Sequence, residues 1–355
     1  MGIGSSYVKV NRQQTLTVDE DISVVKGNIT VTDGTVIVPG SSGLQVGSSA
    51  PFIDSSGTLT LQNIDALDAT TTATILSNMT SETQHRIGCL IVSDMSYAKT
   101  LYLPSDATDS SAKSMYDTAD SAVYTVPTGK IFLAGKVSYY VDHGYNRGRI
   151  GEGTSSNGQI SYDQMCFGNG TVGGGNASCP GIFTAGKYVN AESTGNYSLR
   201  VPTMLYGIEV SVDGEGTITD DVTVMFNIGG YICENYTELK TLICIDEPTS
   251  SSPKTFHEWN GSSWVNYDVP TSKVYIAGAI SYWTDYATNN GIIGESATAD
   301  ASLSRQVFMC GNANVNSGFQ EVYGRFVAGK WVTAKTTSGF SLRTPTYIYG
   351  VEIDE

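Results

Sequence analysis

Histidine clusters and paired cysteine motifs are missing from this 355-residue chain. Its three histidines, His85, His143 and His257, lie far apart, and its six cysteines include no Cys-x-x-Cys spacing. No zinc site is expected, and no cofactor is implied. Positive charge is also scarce: 20 Lys and Arg face 35 Asp and Glu, a formal net charge of −15. Neutralising a phosphate backbone takes clustered Lys and Arg, so nucleic acid is not an expected partner; the negative surplus serves solubility. Long hydrophobic runs are lacking too. The longest apolar stretch, residues 222–233, is too short and too interrupted to span a bilayer, so no membrane insertion is expected. The N-terminus shows no basic region followed by an apolar one, so the chain is expected to fold in the cytoplasm where it is made.

What is present is a duplication. Residues 124–210 recur as residues 267–353 at a constant offset of 143, with about 36 of the 87 aligned positions identical. Tyr124-Thr-Val-Pro-Thr-Gly-Lys130 matches Tyr267-Asp-Val-Pro-Thr-Ser-Lys273, and Leu205-Tyr-Gly-Ile-Glu209 matches Ile348-Tyr-Gly-Val-Glu352. A repeat this long exceeds a solenoid unit, so each copy is expected to own a core. Residues common to both copies are scaffold; a special activity belongs where they differ.

Composition and pattern set the fold class as all-β. Gly and Tyr are plentiful, at 39 and 21 residues, and the shared segments alternate apolar and polar positions between Gly-rich turns, which suggests two antiparallel β-sandwiches of jelly-roll type. Residues 86–212 form the expected first module and residues 213–355 the second. Before them, residues 1–65 consist of very short apolar-x-apolar units such as Ile29-Thr-Val31 and Leu59-Thr-Leu61. Strands this short cannot bury a core alone, so they read as a stalk that stacks or intertwines between chains. Residues 66–85 are the expected neck, and the spacing of Ile64, Leu67, Thr71 and Thr74 suggests a short helix over residues 64–79 that packs between chains.

Several motifs mimic chemistry. Gly181-Ile-Phe-Thr-Ala-Gly-Lys187 and Gly324-Arg-Phe-Val-Ala-Gly-Lys330 match part of a phosphate loop, but Tyr188 and Trp331 follow where a Ser or Thr is required, and strand-like sequence comes next. Gly168-Asn-Gly-Thr-Val-Gly173 leads into further glycines that read as a loop rather than a helix. Asp142 with Glu152, and Asp285 with Glu295, are too few carboxylates for calcium and are better explained by turn capping or by pairing with Arg200 and Arg343. Cys166 and Cys179 are the one cysteine pair worth testing for a bond. Trp259 and Trp264 are expected to face each other across a hairpin turned by Asn260-Gly261. No catalytic residue is assigned, and the chain is not expected to be an enzyme.

The short β units, including Phe52-Ile-Asp-Ser-Ser-Gly-Thr-Leu-Thr-Leu61, resemble the N-terminal shafts of viral and bacteriophage fibre proteins. The Trp259-Asn-Gly-Ser-Ser-Trp264 hairpin and the Leu-Tyr-Gly-Ile-Glu endings are similar to those of phage virion proteins. The resemblance implies a homotrimer in the virion, N-terminal attachment to other capsid or tail proteins, and distal sandwiches that touch the host. A double-jelly-roll capsid protein and a cell-surface adhesin or lectin are the alternatives. Binding of a host cell-surface glycan would fall where the copies diverge: Tyr140, His143, Tyr145 and Arg147 in the first, Trp283, Asp285 and Tyr286 in the second. Flat aromatic faces suit sugar rings, and an Arg can grip an acidic sugar.

Overall fold

The computed structural model describes residues 84–143, 146–168, 173–285, 289–311 and 317–355. The stalk and most of the neck lie outside the described residues. Within them the protein is all-β, 56% strand and 2% helical, with several antiparallel sheets. The first half holds β1 (His85–Ile87), β2 (Leu90–Val92), β3 (Ala98–Tyr102), β4 (Lys113–Ser114), β5 (Tyr116–Asp117), β6 (Lys130–Val141), β7 (Gly148–Gly153), β8 (Tyr162–Phe167), β9 (Gly173–Ala177), β10 (Gly181–Phe183), β11 (Tyr188–Ser193) and β12 (Leu199–Ser211). The second holds β13 (Val224–Ile228), β14 (Tyr231–Cys233), β15 (Leu239–Cys244), β16 (Lys254–Thr255), β17 (His257–Trp259), β18 (Trp264–Asn266), β19 (Lys273–Trp283), β20 (Gly291–Ser296), β21 (Leu303–Cys310), β22 (Ser317–Phe326), β23 (Trp331–Thr336) and β24 (Thr346–Asp354).

Each half carries one long-stranded sheet and one four-stranded sheet. In the first half the orders are β10-β6-β12-β3-β5, with β9 also on β6, and β4-β11-β7-β8. In the second they are β18-β17-β15-β24-β19-β22 and β16-β23-β20-β21. Burial along Lys130–Val141 has two parts: Ile131, Phe132, Leu133 and Ala134 are all buried, and from Lys136 onward it alternates, with Val137, Tyr139 and Val141 buried while Lys136 and Ser138 are half-buried and Tyr140 is exposed. Phe132 and Leu133 of the larger sheet share a core with Ile150, Val189 and Ala191 of the smaller one. Tyr275 and Ile280 likewise share one with Ile293, Val332 and Ala334.

The duplication extends further upstream than the sequence match. Before residue 124 the offset becomes 141: Asp94 caps the short 3-10 turn Met95–Tyr97 by accepting from Ser96 N–H, and Asn235 does the same for Tyr236–Glu238 through Thr237 N–H. The hairpin β1-β2 is matched by β13-β14, with His85 opposite Val92 and Phe226 opposite Cys233. Each hairpin turns at a glycine of positive φ, Gly88 at 63° and Gly229 at 59°. A Cβ at either would strike the carbonyl oxygen of Gly135 or Gly278, so only glycine fits twice over.

Both halves keep the same ionic cluster. Glu209 accepts from Tyr124 Oη at 2.8 Å and pairs with Lys130 and Lys99; Glu352 accepts from Tyr267 Oη at 2.9 Å and pairs with Lys273 and Lys240. Lys99 and Lys240 sit 5.0 and 4.9 Å from the Tyr124 and Tyr267 ring centres. These conserved charges tie the strands of the larger sheets together.

Some expectations are corrected. Gly173–Ala177 is a strand paired with β6 rather than a loop, and the second half answers it with β22 on β19. Glycine can take this place because Tyr139 lies against Gly175, where a side chain would collide with the ring. Cys166 and Cys179 are free and fully buried, so no bond joins them.

Candidate functional site

The two halves meet across a buried, unlike-to-unlike junction. Strand β2 of the first pairs with β13 of the second, setting Leu90 against Phe226, Ile91 against Met225 and Val92 against Val224. Tyr162 and Gln164 of β8 and Pro180 before β10 face Leu239, Lys240 and Thr241 of β15 and Gly350 of β24 around a hollow. Cys166 N–H donates to Tyr349 Oη at 2.8 Å, and Arg147 donates to Ser281 Oγ at 3.5 Å and to the Pro345 carbonyl. Tyr162 stacks on Trp259 with ring centres 5.4 Å apart. The core of the first half therefore runs on into Tyr347, Tyr349 and Val351 of the second. Burial pushes up the Tyr347 and Tyr349 hydroxyls and the Cys166 thiol, so all stay protonated and neutral.

The candidate recognition residues scatter around this frame. Tyr140 lies on β6, 41% exposed, opposite Arg200. His143 stacks on Tyr197, 4.0 Å between ring centres and with the ring planes nearly parallel, a partner that sequence spacing did not reveal. Arg147 is a correction: it is fully buried at the junction rather than displayed on a loop. In the second half Arg343 lies over the Trp283 ring at 5.9 Å and also pairs with Asp285 and Glu247. Tyr145 and Tyr286 lie outside the described residues.

The two carboxylate pairs separate. Asp142 pairs with Arg200, as Asp285 does with Arg343. Glu152 accepts from Thr184 N–H at 2.6 Å, and Glu295 pairs with Arg305. Both Gly-Lys segments are turns between strands, with Gly186 and Gly329 at positive φ, and the strands that follow leave no helix N-terminus for a phosphate. Trp259 and Trp264 do pair across their hairpin, 5.4 Å between ring centres, over a turn in which Asn260 Oδ1 accepts from Ser262 and Ser263 N–H.

One open groove, among several hollows in the described residues, has a counterpart at the junction. On the outer face of the first larger sheet, Ala98, Lys99, Thr100, Lys136, Tyr206 and Gly207 line a hollow of about 280 Å³. Of their positional counterparts on the second half, Ala279 and Tyr349 are buried, while Leu239, Lys240 and Thr241 are half-buried around a hollow that they share with Tyr162, Gln164 and Pro180 of the first. No family model, no curated protein and no solved structure matches this chain.

Proposed function

We propose that the chain is a virion structural protein: a homotrimeric fibre or spike, attached by its N-terminal segment to other capsid or tail proteins, with two duplicated jelly-roll-like sandwiches facing the host. The observation that carries this reading is how the duplication is used. What both halves keep are strand-binding clusters, Tyr124–Lys130–Glu209 and Tyr267–Lys273–Glu352, together with the Arg200–Asp142 and Arg343–Asp285 clamps. These groups serve the framework and not a reaction, which suits a rigid display head made in the host cytoplasm and built into the virion.

A capsid tile of double-jelly-roll type is the second reading, favoured by the core that runs unbroken from one half to the other. For the receptor surface, the Tyr140 ring and the His143–Tyr197 stack offer flat aromatic faces that suit a sugar ring, while Arg200 beside them is held by Asp106 and Asp142.

Gold labels at either terminus of assembled particles test the reading: an exposed C-terminus with a buried N-terminus is expected, and the reverse overturns it. Light scattering of the full chain should give a three-chain mass. Tyr140→Ala should abolish attachment to host cells with assembly unchanged; unaltered attachment moves the receptor surface elsewhere.

A further inference from the structure

The junction between the halves is heterologous: the first half contributes one patch and the second a different one. Because the halves are copies, each also carries the patch that its partner uses. The unused pair faces outward.

Consider the strand edges first. The sheet order is β1-β2-β13-β14, so β14 and β1 have no further strand beside them among the described residues. Strand β14 is the counterpart of β2, and β1 is the counterpart of β13. The internal ladder β2-β13 is therefore a template for an unmade ladder between β14 and β1. Carrying the offset of 141 through the register of Leu90 with Phe226 puts Tyr231 opposite His85, and Ile91 with Met225 puts Ile232 opposite Gln84.

The side-chain patches agree. Cys166 and Pro180 of the first half are buried under the second. Their counterparts Met309 and Tyr323 are 49% and 70% exposed, the kind of large apolar surface that marks an interface. On the receiving side, Leu239, Lys240, Thr241 and Gly350 face Tyr162, Gln164 and Pro180 across the junction. Their counterparts Ala98, Lys99, Thr100 and Gly207 line the open groove already described. Tyr349, fully buried, accepts from Cys166 N–H; its counterpart Tyr206 remains partly exposed in that groove.

We propose that the chain assembles head to tail, with β14, Met309 and Tyr323 of one copy docked on β1 and the Tyr206 groove of the next, repeating between chains the junction already built within each. This deepens the oligomeric part of the reading above and rests on it only for the number of chains: closure at three places six copies of the module in one ring. An exposed strand edge beside an apolar patch is also a hazard, and such pairing disposes of both.

The test is cross-linking in the full chain. In a His85→Cys, Tyr231→Cys double variant the two cysteines lie at opposite edges of one four-stranded sheet, at least roughly 14 Å apart across it at about 4.8 Å per strand and offset along it by the four-residue step from Val224 to Ile228, too far for a bond within a chain. The native cysteines are all buried and burial holds their thiols up, Cys89 and Cys310 at about 12, so they compete poorly. Oxidation is expected to give covalent species between chains, ending at three. Adding Met309→Glu with Tyr323→Glu, or separately Tyr206→Glu, should cut the yield at least tenfold, with the unfolding transition retained as a control of folding. A chain that is trimeric in solution yet gives no cross-link, or gives an unchanged yield in both glutamate backgrounds, overturns this surface and leaves the trimer standing. A chain that is monomeric overturns both.

Discussion

Removing one oxygen from Tyr349 tests whether the junction is a designed interface or an incidental contact. The hydroxyl is fully buried and accepts the Cys166 N–H at 2.8 Å. Tyr349→Phe keeps the ring, its packing on Phe319 and the apolar area, so the change isolates a polar term. It leaves a backbone donor unsatisfied in a dry interface, which costs about 1–3 kcal/mol, more than the net worth of an ordinary hydrogen bond. The duplication supplies the control. Tyr206 occupies the same position in the first half, and its hydroxyl reaches only Met204 Sδ at 3.4 Å in a partly exposed groove. Thioether acceptors are weak, so Tyr206→Phe should change stability by less than about 0.5 kcal/mol in the single chain. Urea unfolding followed by tryptophan fluorescence, with both variants at equal and low concentration, reads the difference directly. Equal midpoints for the two variants would refute the reasoning, because they would mean the buried donor finds water or another acceptor at no cost.

Glu209 and Glu352 supply a pH signature. Burial pushes both carboxyls up, but hydrogen bonds from Lys130 and Tyr124 to Glu209, and from Lys240 and Tyr267 to Glu352, together with the lysine charges, prevail and hold both below the usual carboxylate range. Their contribution is therefore present above the unfolded carboxylate pKa and lost as pH falls through the lower folded value; Glu209→Gln with Glu352→Gln should flatten the acid limb of a stability profile, and an unchanged limb counts against it. Burial likewise holds the His257 imidazole below its ordinary value, so the unfolded chain takes its proton first and stability should drop as pH falls below about 6.5; His257→Asn should remove that part of the slope in a titration followed by circular dichroism. Gly88→Ala and Gly229→Ala each force a Cβ into a carbonyl oxygen at positive φ and should cost more than about 3 kcal/mol or prevent folding, measured by soluble yield and melting temperature. The Tyr162–Trp259 stack joins the halves, so a double-mutant cycle with Tyr162→Leu and Trp259→Leu should show a coupling of about 0.5–1.5 kcal/mol, and additivity would assign the stack no role at the junction.

The class of this fold was legible in the residues themselves. Alternation in Lys136–Val141, the Asn260-Gly261 turn and the tyrosine-rich, glycine-punctuated segments fix strands and hairpins through local sterics and period-two burial, which neighbouring residues carry. The copy at offset 143 was equally visible, because identical residues mark it; its upstream part at offset 141 was not, because Asp94 and Asn235, or Ile91 and Ile232, keep a role while the residues around them change. The glycine run at Gly173–Ala177 reads locally as a loop and becomes a strand only because β6 offers it a ladder and Tyr139 fills the space above it. Arg147 sits in a loop that looks exposed in one dimension, yet it is buried, since the surface that covers it comes from Ser281 and Pro345, far along the chain. Which face of each copy is covered, and which is left open with Met309, Tyr323 and Tyr206 upon it, depends on the packing of one half against the other. Related copies of one sequence met different neighbours, and only the tertiary structure records that difference.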